Sequence, residues 1–453
     1  RWLYLYEILV FFKNFKNEIQ TILISSDNQN LSDQMTEIIE LNKIDVKAVD
    51  SRRNTLLHIA CSNDNIDLVK YLVKLDEIDI AVKNWFKENI LHISCKNGLL
   101  DISKYLIDMN KIDLKELNSS QENILHLACE SGNELLVKYI ISLNVIDILS
   151  TNKYYQTILH FAAESNNLHL MRYLLRLNKI DINAKDKYDS TIVKTAVEND
   201  NIELVKLLSK ENNIDFTVKD DENTNLFMSA CETGNLDLVK FILTQSQFDI
   251  KATNNEQKTV LHFACESGKI ELVDFLIAKN AEVQAKDEYG RTALHYACDS
   301  QNMDLVKKLL SYKQIDLNAK EYNDKTILHK ICEKGNLNLV KNIVSLGRAN
   351  LNILDDSNET IIHKACKSGN LELVRYLNEL NEINITPKEE YSNTVLHSAC
   401  HSGEVEIVKY IVSLNKININ TQNQKYKTPL HLACRNGYHE IAEYLLSLPD
   451  INP

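Results

Sequence analysis

A histidine followed three residues later by a cysteine is the recurring motif with reactive side chains in this 453-residue sequence. The motif occurs nine times, beginning at His58, His92, His126, His262, His295, His329, His363, His397 and His431. Residues three apart share one face of a helix. Each pair could therefore supply two ligands to zinc, or place a thiol beside a base as in nucleophilic catalysis.

The strict spacing of the motif argues against both kinds of chemistry. With His160 included, the histidines recur every 34 residues or a multiple of 34, apart from one step of 33 between His262 and His295. Zinc needs four ligands at about 2.0–2.3 Å, whereas neighbouring helices pack about 8–10 Å apart. That separation also exceeds the Cα distance of about 7 Å that a disulfide allows. Nine equivalent thiols offer no single nucleophile. We therefore predict that the histidine and the cysteine have buried structural roles, and that the protein is not an enzyme and binds no metal or cofactor. The alternative is a metal-buffering protein, which metal analysis of the purified protein would test.

Twelve units in register follow from the period, with Lys194 and Met228 at the two positions that lack histidine. Each unit opens with a residue that favours the helix N-cap, namely Thr55, Asn89, Asn123, Thr157, Thr191, Asn225, Thr259, Thr292, Thr326, Thr360, Thr394 and Thr428. The histidine falls at the third helical position, where a capping box usually has Glu or Gln. A glycine, or a residue that tolerates a left-handed turn, follows the cysteine position in most units. Loss of histidine in two successive units predicts a weak point near residues 191–235.

A second helix follows in each unit, as in NLELVRYLNEL at 370–380, and then an extended finger such as IDINAKDKYDST at 180–191. Neither helix has enough apolar surface to fold alone, so the units must stack. The array resembles ankyrin repeats, whose T-P-L-H-x-A and N-A-x-D patterns are matched by TPLHLAC at 428–434 and INAKDKYDST at 182–191. The resemblance implies an all-α-dominated solenoid of helix–turn–helix units with finger loops. We expect the repeat array to span residues 51–453 and to be truncated at its C-terminus. Residues 1–50 are expected to form an amphipathic helix and a degenerate capping repeat.

Composition excludes several classes of function. The net charge of −12 disfavours nucleic-acid binding, which needs concentrated basic surface. The apolar run at 2–12 spans 11 residues and contains Glu7, so it is too short to cross a bilayer and no membrane insertion is expected. The cysteines occupy one repeat position rather than a disulfide framework, which predicts a reducing, cytoplasmic location.

A partner-binding face is predicted from the residue that follows the cysteine position. In seven successive units this residue is acidic, giving an acidic ladder of Glu130, Glu164, Glu198, Glu232, Glu266, Asp299 and Glu333. Helix packing would space these carboxylates about 10 Å apart, and the resemblance places them on the concave face with the finger tips. Trp85 and Phe86 form an aromatic pair at one tip, of the kind that anchors interfaces. The alternative is that the ladder is a solvated template residue copied with the repeat.

The predicted function is therefore a non-catalytic scaffold or adaptor, a monomer that binds a protein partner with a basic or extended segment. The alternative is the regulatory or targeting arm of a larger protein whose catalytic or channel domain lies outside this chain. Fold alone does not identify the partner.

Overall fold

A computed structural model describes residues 46–300, 302–380, 382–386 and 389–452. The amphipathic helix and almost all of the degenerate repeat predicted for residues 1–50 lie outside the described residues. Contacts divide the chain into two compact halves, Arg1–Asp221 and Glu222–Pro453, which are described separately below.

The first half contains five helix pairs among its described residues. The first helices of the pairs are α1 Leu56–Ser62, α3 Ile90–Lys96, α5 Ile124–Glu130, α7 Ile158–Glu164 and α9 Ile192–Glu198. The second helices are α2 Ile66–Leu72, α4 Leu100–Asp108, α6 Glu134–Ser142, α8 Leu168–Arg176 and α10 Ile202–Leu208.

The second half contains seven pairs in the part that the structure describes. Its first helices are α11 Leu226–Thr233, α13 Val260–Glu266, α15 Ala293–Asp299, α17 Ile327–Glu333, α19 Ile361–Lys367, α21 Val395–Ser402 and α23 Pro429–Asn436. Its second helices are α12 Leu236–Gln245, α14 Ile270–Ala278, α16 Met303–Ser311, α18 Leu337–Ser345, α20 Leu371–Glu379, α22 Val405–Ser413 and α24 His439–Leu446. A short 3₁₀ turn, Tyr322–Asp324, lies in one finger.

Every first helix begins where the sequence predicted, because the Thr or Asn of each unit adopts the extended N-cap conformation. The capping box with imidazole is present in all ten units that have the histidine. The predicted left-handed turn also follows. Gly132 has φ +71°, and Asp64, Asn166 and Asp200 adopt positive φ in its place in other units.

Packing within each half buries almost the whole first helix and one stripe of the second. In α5 the six residues from Ile124 to Cys129 are buried. In α6 the buried residues are Leu136, Val137 and Ile140, which recur at helical spacing. Burying one such aliphatic side chain contributes about 1.5–3 kcal/mol. The core is therefore a continuous layer between stacked units.

Two kinds of polar contact recur between neighbouring units in several parts of the array. Asn133 caps α6 with its side-chain oxygen, while its Nδ2 donates to the carbonyl of Gly98 in the preceding unit at 2.7 Å. Asn370 does the same in the second half, donating to the carbonyl of Gly335 at 2.8 Å. On the outer side of the second helices, cations lie over aromatic rings of the next unit, as with Lys138 over Tyr173 at 5.0 Å.

The fingers are tight turns rather than strands. In the finger that precedes α3, the Asn84 side-chain oxygen accepts from the N–H groups of Phe86 and Glu88 at 2.9 and 3.0 Å. Successive fingers are joined by single backbone hydrogen bonds, such as Ser119 N–H to the Phe86 carbonyl at 2.7 Å. The described residues contain no β-strand, only an isolated bridge between Val49 and Thr55. The predicted helix–turn–helix–finger unit and the all-α class are confirmed.

Candidate partner-binding site

Seven of the ten repeated histidines use both ring nitrogens in structural hydrogen bonds. In the first unit the N–H of Thr55 donates to Nδ1 of His58 at 3.3 Å, so Nδ1 is an acceptor. Its Nε2 lies 3.1 Å from the carbonyl of Glu88 in the next finger. A carbonyl can only accept, so Nε2 carries the proton and the imidazole is neutral. The histidine therefore links a helix cap to the following unit.

The same link recurs with Nε2–O distances of 3.1–3.4 Å from His92, His126, His160, His262, His329 and His397. The buried Nε2 atoms of His295 and His363 have no hydrogen-bond partner among the described residues. Burial lowers the pKa of His126, His295 and His363 to about 4. These histidines are neutral at pH 7, as the structural interpretation requires.

The cysteines are free thiols, and nine of the ten are buried. Burial raises the pKa of Cys61, Cys95, Cys298 and Cys400 to about 12. The thiolate is the reactive form, so these groups are poor nucleophiles at neutral pH. In the described residues no three His, Cys, Asp or Glu side chains converge as a metal site would require.

Thiol labelling should report this arrangement directly. We expect one thiol per chain, Cys434, to react rapidly with an aromatic disulfide reagent in the native protein, because it alone is exposed. All ten should react after unfolding in guanidinium chloride. The Cys434→Ser variant should lose the rapid phase. Rapid reaction of several thiols in that variant would contradict the buried positions.

Lys194 takes the place of histidine in the unit of α9 and preserves a link to the next finger by another chemistry. Its side chain is 4% exposed and its ammonium lies 3.1 Å from the carboxylate of Asp220, with Glu198 on its other side. Burial disfavours the charge, but these two carboxylates outweigh it and raise the pKa of Lys194. The weak point predicted at residues 191–235 thus contains an ion pair that sequence reasoning missed.

A groove of about 560 Å³ lies in the first half, between the finger turns and the first helices α1, α3, α5 and α7. We call it the finger groove. Its lining includes Arg52, Phe86, Glu88, Ile93, Lys96, Glu122, Glu130, Tyr154, Phe161 and Glu164. It brings together three of the residues predicted to bind a partner: Phe86, Glu130 and Glu164. Glu88, Glu122 and Tyr154 were missed, because their approach depends on how successive fingers stack.

Only one residue of the predicted aromatic pair lines the finger groove. Phe86 is 50% exposed and lines it, whereas Trp85, 72% exposed, does not. Both lie on the finger turn that begins at Asn84, and the N–H of Trp85 donates to the Arg52 carbonyl at 3.1 Å. Large exposed aromatic side chains are common anchors of interfaces.

The acidic ladder occupies the last turn of the first helices, with Glu130 half-buried and the other six exposed. Negative charge at a helix C-terminus is disfavoured by roughly 0.3–1 kcal/mol, so the helix dipole does not favour a carboxylate at this position. Lysines pair with at least four members: Lys96 with Glu130, Lys194 with Glu198, Lys330 and Lys334 with Asp299, and Lys325 with Glu333. The ladder is therefore partly neutralised within each half.

The pKa shifts of two ladder members, Glu164 and Asp299, show how pairing with lysines changes a ladder carboxylate. Partial desolvation raises the pKa of Glu164 although the residue remains exposed, and the neighbouring carboxylates of Glu130 and Glu122 raise it further. Burial acts in the same direction on Asp299, but hydrogen bonds from Lys330 and Lys334 outweigh it and lower the pKa of that carboxyl. Of these two carboxylates, the less compensated one is Glu164, which lines the finger groove.

The sequence matches the model of one protein family. The sequence model described as ankyrin repeats, three copies, matches residues 21–118, 75–152, 125–220, 226–321, 316–389 and 380–453. None of the curated proteins matches the sequence. Among the described helices, none is long and apolar enough to cross a membrane.

Proposed function

Because the chain belongs to the ankyrin-repeat family, we propose that it is a non-catalytic scaffold that binds a protein partner on the face formed by its finger turns and first helices. The observation that supports this proposal is the finger groove, which is lined by exposed Phe86 and by the carboxylates of Glu130 and Glu164. By resemblance to the family, we assign this face to the concave side of the array. Repeat proteins of this kind use such extended surfaces for binding.

The partner that best fits this face carries a basic or extended segment. Carboxylates at the C-terminal ends of successive first helices attract positive charge, and the helix dipole disfavours an uncompensated carboxylate there. We place the interaction in a reducing cytoplasm, with the scaffold as a monomer. Free, deeply buried thiols fit that compartment.

Affinity capture would test the scaffold role. The tagged chain is incubated with cell extract at low and at high salt, and the bound proteins are identified by mass spectrometry. We expect a defined set of proteins whose capture weakens at high salt and in the Glu232→Lys, Glu266→Lys variant. Glu198 is left unchanged, because a lysine there would face the buried Lys194. A matched control is Glu203→Lys, on the first turn of α10, where the carboxylate pairs only with exposed Lys206 among its described ion pairs.

Failure would take a clear form. If no protein is captured above an empty-tag control, the scaffold role is wrong. If proteins are captured equally by all variants and at both salts, the scaffold role stands and the ladder has no part in it.

The second candidate is a regulatory or targeting arm of a longer protein. The repetition of binding-type units from residue 51 to residue 453 is as compatible with an arm as with a free scaffold. Determining the full reading frame separates the two.

A further inference from the structure

The finger groove combines apolar walls with fixed negative charge. Phe86 and Tyr154 come from finger turns, while Ile93 and Phe161, 9% and 4% exposed, form the floor on α3 and α7. A volume of about 560 Å³ lies within the roughly 300–1,000 Å³ typical of ligand-binding clefts. An aliphatic stem can therefore lie on the floor while a polar head reaches the rim.

Two of the groove carboxylates are held in place by their own finger. Nδ2 of Asn84 donates to Glu88 at 2.9 Å, and Nδ2 of Asn118 donates to Glu122 at 2.6 Å. The same asparagines form the finger turns through their side-chain oxygens. These acceptors are therefore preorganised, which reduces the ordering cost of binding.

The groove charges are unbalanced in favour of the acids. Four carboxylates, on Glu88, Glu122, Glu130 and Glu164, line it, against the two cations of Arg52 and Lys96. Lys96 approaches Glu130 no closer than 3.6 Å. Burial raises the pKa of Glu130, and Lys96 only partly offsets the effect. An additional cation in the groove would offset the excess negative charge.

We propose that the finger groove holds an arginine side chain from an extended segment of the protein partner. This inference rests on the proposed scaffold function and specifies its recognition chemistry. A guanidinium stacks on an aromatic face and makes paired hydrogen bonds to carboxylates. A lysine ammonium is more strongly hydrated and lacks the planar fork, so it fits the aromatic walls less well. Phe86 supplies the ring, and Glu122 and Glu164 supply the acceptors.

Peptide binding tests the proposal without knowledge of the partner. The probes are fluorescein-labelled octapeptide pools, neutral at seven randomised positions, with Arg, Lys, Gln or Glu fixed at the fourth. We expect the Arg pool to bind about tenfold more tightly than the Gln pool, which is the effect of one charge-assisted hydrogen bond. The Lys pool should fall between them, and added salt should weaken the Arg pool. Fluorescence anisotropy gives the affinities.

Three variants localise the effect. Glu122→Gln keeps the acceptor oxygen for Asn118 but removes the charge, and Glu164→Gln acts likewise toward Gln156. Each should lower the preference for Arg over Gln several-fold, and Phe86→Ala should lower it too. Glu203→Gln, outside the groove, should leave it unchanged. Thermal melting followed by circular dichroism confirms that each variant is folded.

The result that overturns the proposal is equal binding of the Arg and Gln pools, or an Arg preference that survives in both glutamate variants. If extract proteins are still captured in that case, the arginine inference fails while the scaffold role stands. If the Arg pool binds as expected but no extract protein is captured, the groove is an arginine site and the scaffold role is wrong.

Discussion

Lowering the pH from 6.5 to 4 is expected to unfold the repeat array cooperatively. Burial depresses the pKa of His126, His295 and His363 from 6.5 to about 4 in the folded chain. Below pH 6.5 the unfolded chain therefore binds protons that the folded chain does not, and stability falls as the pH falls. Each of these three histidines would contribute a loss of up to about 3 kcal/mol by pH 4. The sum is comparable to the roughly 5–15 kcal/mol stability of a typical domain.

The hydrogen bond at Nδ1 acts in the same direction as burial. Nδ1 of each cap histidine accepts from the N–H of the N-cap residue, so a proton on Nδ1 would face that N–H. Above pH 6.5 these histidines are neutral in both states, and no pH dependence from them is expected. Glu130 and Glu164 act in the opposite sense, because their raised pKa favours the folded state as they protonate. These two carboxylates oppose, but do not match, the eight cap histidines whose pKa burial lowers.

Urea unfolding between pH 7 and pH 4, followed by circular dichroism, measures this loss. The matched control is His126→Gln, which places the usual capping-box side chain at that position and removes one titrating group. Its free energy of unfolding should fall less steeply with acidification than that of the unaltered chain. A free energy of unfolding that is constant down to pH 4 would falsify the assignment of neutral, buried histidines.

Replacing Asp355 with asparagine should destabilise the second half by about 3–5 kcal/mol, the usual cost of leaving one member of a buried ion pair alone. The carboxylate of Asp355 lies 2.7 Å from the ammonium of Lys364, and their side chains are 1% and 6% exposed. Lys364 also contacts Glu359, which in turn contacts Lys367. Removal of one carboxylate would leave two lysines with one acid.

Asparagine is a well-matched replacement at this position. Asp355 forms its finger turn by accepting from the N–H groups of Ser357 and Glu359. Asn84 and Asn118 form the same turn in other units, so the backbone geometry tolerates the amide. The variant therefore removes charge and leaves the turn.

A double-mutant cycle with Lys364→Leu isolates the ion pair, because other units have an aliphatic or aromatic residue here, such as Leu127 or Phe161. We expect the double variant to recover most of the stability lost by Asp355→Asn in urea unfolding. If the two single changes are additive, the buried pair does not exist as described.

Much of the fold was predictable because each unit satisfies its own local rules. Thr or Asn at the N-cap, histidine at the third position and a glycine after the cysteine each have one physical role, and the structure confirms all three. The packing of the second helices also followed from helical spacing. Twelve repetitions made these signals stronger than in an ordinary domain.

The features that the sequence did not predict depend on contacts that form only when the fingers and helices are placed in three dimensions. The partners of Lys194 and Lys364 required the fingers to be placed, since Asp220 lies 26 residues after Lys194 and Asp355 nine residues before Lys364. The acidic ladder was visible, but most of its lysine partners were not, because Lys96, Lys334 and Lys325 come from neighbouring units or from a finger. The finger groove likewise arises from stacking, which places Glu88, Glu122 and Glu164 from three units around one space.

The cap histidine has a consequence for how such a gene can change length. Its Nε2 bonds to a main-chain carbonyl of the following finger, and every residue supplies a carbonyl whatever its side chain. Deletion or duplication of a whole unit by unequal recombination therefore preserves this link at the new junction. Lys194 is different, because it needs the acidic side chain of Asp220 in the unit that follows. The segment from Lys194 to Asp220 should be inherited intact, while histidine units can be gained and lost around it.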